Sequence, residues 1–494
     1  MASRTNDGRT PRDDPGDDGP VGGRAAGLPT ALVLTLASAL VWGIAHLWAG
    51  RRVAGALLLA LYGALVAAGL IAWSSYRDDL YPLAGRPDLI NSIAAGVVVL
   101  AAVWIAVVVR SYLVVRPDGL AAVSRAAGVA ATLALCLVIA APFALATHHM
   151  YVWRDTLTSI FKTGGFGGDG RPVDADDPWK DRPRVNILLL GGDAAANRTG
   201  VRTDSMTVAS IDTKTGDTVL LSLPRNLERV QLPAGPARDR FPYGFTGDGP
   251  GTPGLLNEVY EYAEDHPDVV PGVARNHRGP ELLKKTIAGV LAQPVDYYIL
   301  VDMFGFADIV DAMGGVKVRI TQPIPYGRNG GVLQPGYRTL RGKEALWYGR
   351  SRTDSDDYTR MGRQKCLLRA IARQADARTV LTKFDKLATA AKHTLSTDIP
   401  QKLLPGLIEL SGKMKDGAKI DSLQFVPPLI STANPDYALI RRLAAKAVAP
   451  KEKSAQAAPT ASPSTSRPVA AGGEENPVGG GDSHPVSLEA TCPS

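Results

Sequence analysis

Four apolar segments in the first third of the chain, at about 28–48, 53–73, 90–109 and 126–146, constrain its fold most strongly. Each has close to the roughly 20 residues that a helix needs to cross the hydrocarbon core of a bilayer. Long buried hairpins in a soluble protein are the alternative, and the uninterrupted apolar length argues against them. We therefore predict a transmembrane region of about four helices over residues 28–148.

Charged residues in the connecting loops predict how this region is oriented. Arg110, Arg116 and Arg125 flank the connection between the last two segments, and Arg51 and Arg52 lie in the first turn. Positively charged loops stay on the cytoplasmic side, so everything after residue 146 is expected outside the cell. The N-terminus is then external if the first segment spans the membrane, and internal if that segment is re-entrant. The sequence leaves both arrangements open.

Three further stretches have the composition of linkers or disordered segments. Residues 1–27 contain almost nothing apolar, and residues 449–494 are rich in Ala, Pro, Ser and Gly. Neither could bury enough apolar surface to fold, so both are expected to be disordered, and the second to be dispensable. Residues 149–184, with a run of glycines near their centre, are interpreted as a linker.

Residues 185–448 alternate between strand and helix patterns. Short β-rich runs at 186–190, 206–211 and 218–223 open the domain, and a strand, a helix and a strand follow at 297–302, 304–313 and 316–320. Further helices are predicted at 280–291, 380–393, 400–414 and 435–448, with a strand at 421–426. This alternation predicts an α/β domain in which helices cover both faces of a central mixed β-sheet.

Charge and cysteine content exclude several classes of protein. The net charge of +7 is spread over 55 basic and 48 acidic residues without a long basic run, which argues against nucleic-acid binding. Cys136, Cys366 and Cys492 show no CxxC or metal-binding spacing. The sequence therefore predicts neither a disulfide framework nor a zinc site.

Charged side chains follow the first strands of the α/β domain. Asp193, Arg202, Asp204 and Arg225 all lie at predicted strand ends. Single residues of this kind are usually turn residues or surface ion pairs, but two carboxylates and two guanidinium groups converging suit a phosphate bridged by a divalent metal. Arginine rather than lysine favours bidentate contacts to phosphate oxygens.

A second charged stretch lies at residues 342–364. Asp356 or Asp357 can cap a helix on which Arg360, Arg363 and Gln364 share one face, at positions i, i+3 and i+4. A helix N-terminus attracts anions, and two guanidinium groups strengthen that attraction.

Two more arginines precede this helix. Arg350 and Arg352 approach from the preceding segment, where they could also form structural ion pairs with Asp354 or Asp356. Without further information, a phosphate site and a set of structural ion pairs both remain open.

At these residues the sequence resembles the LytR-CpsA-Psr family of wall-polymer ligases. The matching segments occur in the family's order and cover nearly all of residues 185–448. They are NILLLGGD, VRTDS, SLPRN, LLNEVY, PVDYYILVDMFGFADIVDAMGGV and ALWYGRSRTDSDDYTRMGRQKC. Two features depart from the family pattern: Asn226 stands where an Asp usually follows the SxPR arginine, and four apolar segments replace the usual single anchor.

The resemblance implies an enzyme that acts outside the membrane, and the apolar segments predict that its membrane region is multi-pass. It would move a glycopolymer from a polyprenyl-pyrophosphate carrier to a muramic acid hydroxyl of peptidoglycan, forming a phosphodiester and releasing polyprenyl phosphate. Its partners would be the two substrates and membrane lipid.

The resemblance also implies roles for the charged residues. Asp193 and Asp204 would hold magnesium, and Arg225, Arg350 and Asp357 would act in catalysis, with Asp357 positioning the arginines. The pyrophosphate would be bound by Arg202, Arg225, Arg350, Arg352, Arg360, Arg363 and Gln364.

Two other functions remain alternatives at this point. A hydrolase would use water at the same site to cleave the polyprenyl pyrophosphate. A non-enzymatic envelope regulator or transcription attenuator would need a cytoplasmic DNA-binding part, for which residues 1–27 are too short and too acidic. The sequence does not identify the glycopolymer, the acceptor sugar, the prenyl length, the general base, the oligomeric state or a role for Cys366 and Cys492.

Overall fold

The chain divides into two structural units, residues 1–80 with 91–151 and residues 81–90 with 152–494, which we describe separately. The computed structural model describes the following residues: 25, 27–76, 87–161, 174, 177–193, 202–249, 252–327, 330–352, 355–374, 383–415, 417–450 and 483–492.

Helices make up the described part of the N-terminal unit. They are α1 (Leu28–Leu40), α2 (Ile44–Trp48), α3 (Arg52–Tyr76), α4 (Pro87–Val115) and α5 (Ala122–Ile160). Of these, α3, α4 and α5 are long and apolar enough to cross a membrane. The three long helices suggest a membrane anchor.

The first apolar segment differs from the prediction because it is broken into α1 and α2. Gly43 has a φ of 98°, and a side chain there would lie 2.3 Å from the carbonyl oxygen of Gly55. The 13 residues of α1 reach about 20 Å at 1.5 Å per residue, which is less than the hydrocarbon thickness of about 30 Å. The segment therefore forms no single helix of spanning length.

Aromatic side chains fasten the broken segment to the longer helices. Trp42 is fully buried, with its ring centroid 5.8 Å from that of Tyr62 and 5.5 Å from that of Trp104. Trp104 also donates a hydrogen bond from Nε1 to the carbonyl oxygen of Ala39, at 2.9 Å. Edge-to-face packing and a satisfied indole N–H together favour this arrangement.

A seven-stranded mixed sheet organises the described part of the second unit. Its strands are β1 (Arg184–Asp193), β2 (Arg202–Asp212), β3 (Thr218–Leu223), β4 (Tyr297–Asp302), β9 (Leu395–Thr397), β10 (Ile420–Gln424) and β11 (Val486–Ser487), in the order β11-β10-β3-β2-β1-β4-β9. The neighbours β1 and β4 are parallel, as are β3 and β10, and the other pairs are antiparallel.

Helices cover both faces of this sheet, which confirms the predicted fold class. The helices of the second unit are α6 (Pro236–Arg240), α7 (Glu258–Asp265), α8 (Arg275–Leu291), α9 (Met303–Met313), α10 (Gly342–Arg350), α11 (Asp357–Gln374), α12 (Phe384–Thr394), α13 (Leu404–Lys415), α14 (Tyr437–Val448) and α15 (Leu488–Thr491). One face of the sheet packs its apolar side chains against α7, α8 and α14. The other packs against α13 and α15.

A smaller lobe stands beside the sheet. Here β5 (Val316–Ile320) pairs with β8 (Gly336–Leu340), and β6 (Ile324–Tyr326) pairs with β7 (Gly331–Leu333). Alternate residues of β5 point into a core that they share with α9, α10 and α11. This lobe supports the helix that carries the second charged stretch.

Two predicted boundaries are wrong. Helix α5 continues to Ile160, so the predicted linker over 149–184 does not begin where expected; its glycine-rich centre lies outside the described residues. Helix α8 starts at Arg275 and contains Pro280, which was expected to begin the helix. Both errors arise because boundary signals are weak where neighbouring residues can also be helical.

The greatest correction concerns the region after Val448. Strand β11 pairs with β10, Leu488 of α15 is buried at 1% exposure, and Cys366 and Cys492 form a disulfide. The expectation of disorder is thus wrong for residues 483–492, and two cysteines in which the sequence indicated no disulfide framework are bonded to each other. The two cysteines are 126 residues apart, so local spacing carried no signal of their pairing. Residues 451–482 lie outside the described part of the chain.

Candidate active site

A β-bulge sets the position of Asp204 at the end of the central strands. Gly191 of β1 pairs with Ser205, and Gly192 pairs with Thr203, which leaves Asp204 as the extra residue on β2. Bulges re-aim side chains and are frequent next to active sites. The bulge therefore explains how Asp204 leaves the regular inward and outward alternation of the strand.

Arg225 follows β3 and contacts this carboxylate. Its Nη1 donates to Oδ1 of Asp204 at 2.6 Å, and its Nε lies 3.6 Å from Oδ1 of Asp357. The Arg225 side chain is 25% exposed, so the guanidinium group keeps access to solvent. One arginine thus links the strand ends to the start of α11.

The start of α11 is fixed by its own acidic residues. Asp356 accepts hydrogen bonds from the backbone N–H and the hydroxyl of Thr359, at 2.7 and 2.6 Å, which confirms the predicted N-terminal cap. Arg360 donates to both oxygens of Asp357, at 3.1 and 3.0 Å, and to the backbone carbonyl of Asp204 at 2.9 Å. Arg360 thereby ties the helix to the bulged strand.

Asp357 is the centre of this cluster. Besides Arg225 and Arg360, it has Arg352 Nη1 at 3.9 Å. Three guanidinium groups, those of Arg225, Arg352 and Arg360, therefore lie around the carboxylates of Asp204 and Asp357 at the N-terminus of α11. An arrangement of this kind stabilises phosphate oxygens.

Other predicted phosphate ligands have different contacts. Arg363 donates to the carbonyl oxygen of Ser351 and, at 3.1 Å, to the hydroxyl of Ser355. Gln364 donates to the carbonyl oxygen of Gly349 at 3.0 Å. Burial lowers the pKa of Arg363, an effect that nearby Tyr348 opposes. These two side chains hold the segment between α10 and α11.

Arg350, Asp193 and Arg202 are the remaining predicted site residues. Arg350 is the last residue of α10. The backbones of Asp193 and Arg202 pair with each other at the end of β1 and β2, while their side chains lie outside the described part of the chain. Their roles remain predictions.

The carboxylate oxygens at the strand ends are of the type that binds magnesium. Asp193 and Asp204 lie on neighbouring antiparallel strands close to the same end of the sheet. Magnesium is usually held by one or two carboxylates together with substrate phosphates and water. Among the described side chains, no group of three or more His, Cys, Asp or Glu is placed to hold a metal.

Sequence reasoning missed a third carboxylate at this end of the sheet. Asp302 ends β4, directly beside Gly192 in the parallel register. One of its oxygens accepts a bond from Gly305 N at 3.3 Å, capping α9, while Oδ1 is buried without a hydrogen-bond partner among the described residues. The sequence did carry a signal for Asp302, because it is an acidic residue at the end of a predicted strand. The ends of parallel strands lie at the same edge of a sheet, where the other carboxylates were expected.

Residues 158–453 match the model of the LytR_cpsA_psr family, which amounts to more than half of the chain. The chain belongs to this family. The matched region includes every residue of the ion-pair cluster and confirms the resemblance noted from the motifs.

Several LytR_cpsA_psr relatives are named polyisoprenyl-teichoic acid–peptidoglycan teichoic acid transferase TagU. The protein from Halalkalibacterium halodurans is 26% identical over 250 residues, which are 50% of this chain and 68% of the relative. The protein from Oceanobacillus iheyensis is 29% identical over 240 residues, or 48% of this chain and 66% of the relative. The chain therefore spans about two thirds of the length of the relatives it matches.

Solved structures of similar chains include Bacillus subtilis TagV, at 25% identity and a TM-score of 0.39, covering 54% of this chain and 97% of that one. A protein from Streptococcus agalactiae gives 23% identity and a TM-score of 0.41, covering 55% of this chain and 89% of that one. Membership in the LytR_cpsA_psr family is shown by the match in sequence.

Proposed function

We propose that this protein transfers a glycopolymer from a polyprenyl-pyrophosphate carrier to peptidoglycan. A hydroxyl oxygen of the acceptor, which we take to be a muramic acid unit, attacks the phosphorus that bears the glycan. The bond to the bridging oxygen of the pyrophosphate breaks, and polyprenyl phosphate leaves with that electron pair. The product is a phosphodiester, and the hydroxyl proton passes to solvent or to the leaving phosphate.

The ion-pair cluster of Asp204, Arg225, Asp357 and Arg360 is the observation that carries this proposal. Phosphoryl transfer needs neutralised charge and in-line positioning more than a covalent nucleophile. Arg225 and Arg352 keep solvent access and would contact the pyrophosphate, whereas buried Arg360 would hold Asp357 and the helix in place. The TagU relatives are named as transferases of teichoic acid to peptidoglycan, which supports the proposed transfer.

Magnesium is part of the proposal. Asp193 and Asp204 would hold the ion, which would neutralise charge on the pyrophosphate oxygens. Arg225 would keep the Asp204 carboxylate oriented through its 2.6 Å bond to Oδ1. Asp302, with a buried oxygen that has no described partner, would lie close enough along the sheet edge to hold a water of the ion or the acceptor hydroxyl.

We also propose that the catalytic unit lies outside the cell on three membrane passes. Helices α3, α4 and α5 would span, and the pair α1 and α2 would stay on the cytoplasmic side. The arginines at 51, 52, 110, 116 and 125 are then all near cytoplasmic loops. The disulfide between Cys366 and Cys492 supports an oxidising, external location.

A transfer assay with purified protein tests this function. It combines a polyprenyl-pyrophosphate glycan, a peptidoglycan acceptor and magnesium, and measures glycan joined to acceptor by mass spectrometry. We expect transfer to require magnesium and to fall on the order of a hundredfold in Asp204→Ala, as for the loss of one preorganised transition-state group. Exposed Asp308→Asn serves as the matched control. Release of free phosphorylated glycan without joining would instead identify a hydrolase.

A further inference from the structure

A cavity separate from the ion-pair cluster lies on the side of α11 that carries Arg363, Cys366 and Arg373. It is about 360 Å³ in volume and is bounded by β5, the segment 321–325 and the later half of α11. Thr491 and Cys492, fastened by the disulfide, close one end. Its volume is within the range of small-molecule binding sites.

The lining of this cavity is strongly cationic. It includes five basic residues and no Asp or Glu, the basic ones being Lys317, Arg319, Arg363, Arg369 and Arg373. Such a charge distribution focuses positive potential and attracts anions into the cleft.

Few carboxylates offset this charge. Arg369 donates to the carbonyl oxygen of Cys492 at 2.5 Å and lies 3.6 Å from Glu489, whose side chain is 79% exposed. Buried Arg363 has its Nε without a partner among the described residues. Lys317 and Arg373 form no ion pair with any described residue and are exposed at the rim. The cavity therefore retains unused capacity to bind an anion.

Its walls add flat apolar surface. Tyr337 and Tyr348 line it together with Pro323 and Pro325. The Tyr337 ring already stacks under the guanidinium group of Arg319, at 5.7 Å. Aromatic faces accommodate the C–H surface of a sugar ring, while guanidinium groups bind phosphate oxygens.

We propose that this cavity binds a phosphorylated sugar unit of the glycopolymer, a role that rests on the proposed transfer function. Arg363 stands three residues after Arg360 on the same helix, a rise of about 4.5 Å along its axis. The cavity lining also includes Thr359, the residue before Arg360, so the cavity borders the helix turns that carry the ion-pair cluster. A glycan phosphate held there would position the donor chain while its pyrophosphate occupies the cluster.

Direct binding tests the proposal without any turnover. Calorimetry on the full chain in detergent micelles would compare glucose 1-phosphate, glucose, inorganic phosphate and dodecyl phosphate. We expect glucose 1-phosphate to bind most tightly, and its Kd to rise on the order of tenfold in Arg373→Gln and in Lys317→Gln. Both side chains are exposed, so the variants should fold. Arg442→Gln, an exposed arginine on α14, should leave the Kd unchanged.

Several results would overturn the proposal. Equal binding of glucose 1-phosphate and inorganic phosphate would show that the cavity does not recognise the sugar ring. Preference for dodecyl phosphate would show that the ligand is a lipid phosphate instead. An unchanged Kd in both variants would show that the sugar phosphate binds somewhere other than this cavity. If sugar phosphate binds as expected but transfer is absent, the cavity assignment stands and the proposed function fails, so the two are separable.

Discussion

Arg360 and Asp357 form a two-pronged ion pair within the first turns of one helix, with N–O distances of 3.1 and 3.0 Å. The Arg360 side chain is only 5% exposed and also binds the backbone of Asp204. An i, i+3 pair of this kind usually lies on a solvated helix surface, where it stabilises little. Here the arginine is buried, and the pair connects the start of α11 to the bulged strand β2.

Replacing Asp357 should therefore affect stability and transfer together. Asp357→Asn leaves Arg360 buried without its countercharge, which we expect to cost about 3 kcal/mol of unfolding free energy. It also frees Arg225 and Arg352 from their shared carboxylate, so transfer should fall at least tenfold. Urea unfolding and the transfer assay check both effects. The exposed control Asp308→Asn should change neither the unfolding free energy nor the transfer rate. An unfolding curve for Asp357→Asn equal to that of the wild type would contradict the proposed role of this ion pair in stability.

Arg363→Lys tests whether the geometry of the Arg363 side chain matters in addition to its positive charge. Arg363 contacts the Ser351 carbonyl and the Ser355 hydroxyl through Nη2, and the shorter lysine side chain keeps the positive charge but places its ammonium group short of both oxygens. We expect the segment between α10 and α11 to loosen and transfer to slow by about tenfold. Hydrogen exchange of residues 349–355, compared with that in exposed Arg442→Lys, measures the loosening. Full activity with unchanged exchange would rule out this positioning role.

A buried ion pair joins α8 to the end of β9. Lys284 Nζ lies 2.6 Å from Asp398, with side chains 5% and 7% exposed, and Asp398 also accepts the backbone N–H of Tyr298. Asp398→Asn should cost about 2–3 kcal/mol, because it removes the nearer of two carboxylates from a buried ammonium group and leaves only Glu281 Oε2, at 3.2 Å. The exposed pair of Arg240 and Asp268 provides a contrast, and Asp268→Asn should cost less than about 1 kcal/mol. Equal losses in urea unfolding would contradict the role of burial.

Glu281 should add a small acid dependence to stability. Burial raises its pKa, but Lys284 and Lys285 outweigh that effect and hold the pKa below its usual value. A carboxyl with a lowered pKa contributes stability above its unfolded pKa of about 4.3 and loses it as pH falls through the folded pKa. Glu281→Gln should thus flatten the stability curve below about pH 4. An unchanged slope there would exclude Glu281 as a contributor.

The disulfide should hold the segment 483–492 in the sheet. Cys366→Ser is expected to lower the unfolding free energy by about 2–4 kcal/mol, because the closed loop is long. Reductant should destabilise the wild type and leave Cys366→Ser unaffected. Cys136→Ser, which changes a cysteine outside the disulfide, should retain sensitivity to reductant. Truncation after Val448 should also destabilise the domain, since it removes Leu488 from the core.

Local patterns predicted much of this fold. Apolar runs predicted β1 to β4, and the acidic cap predicted the start of α11, because both depend on neighbouring residues. Contacts between distant residues carried no such signal: the pairing of Asp204 with Arg225 depends on a bulge, and Cys366 meets Cys492 only through the sheet. Composition likewise misjudged residues 483–492, where Leu488 and Cys492 are buried in the apolar core on one face of the sheet.

The bond between Cys366 and Cys492 also makes residues 366–492 a covalent ring. A protease that cuts once between Val448 and β11 would open the ring without releasing any fragment. The cut protein would migrate as one species on a gel until a reductant separates the two pieces. Shedding of the segment that closes the cationic cavity would therefore require two independent events, hydrolysis of a peptide bond and reduction of a disulfide.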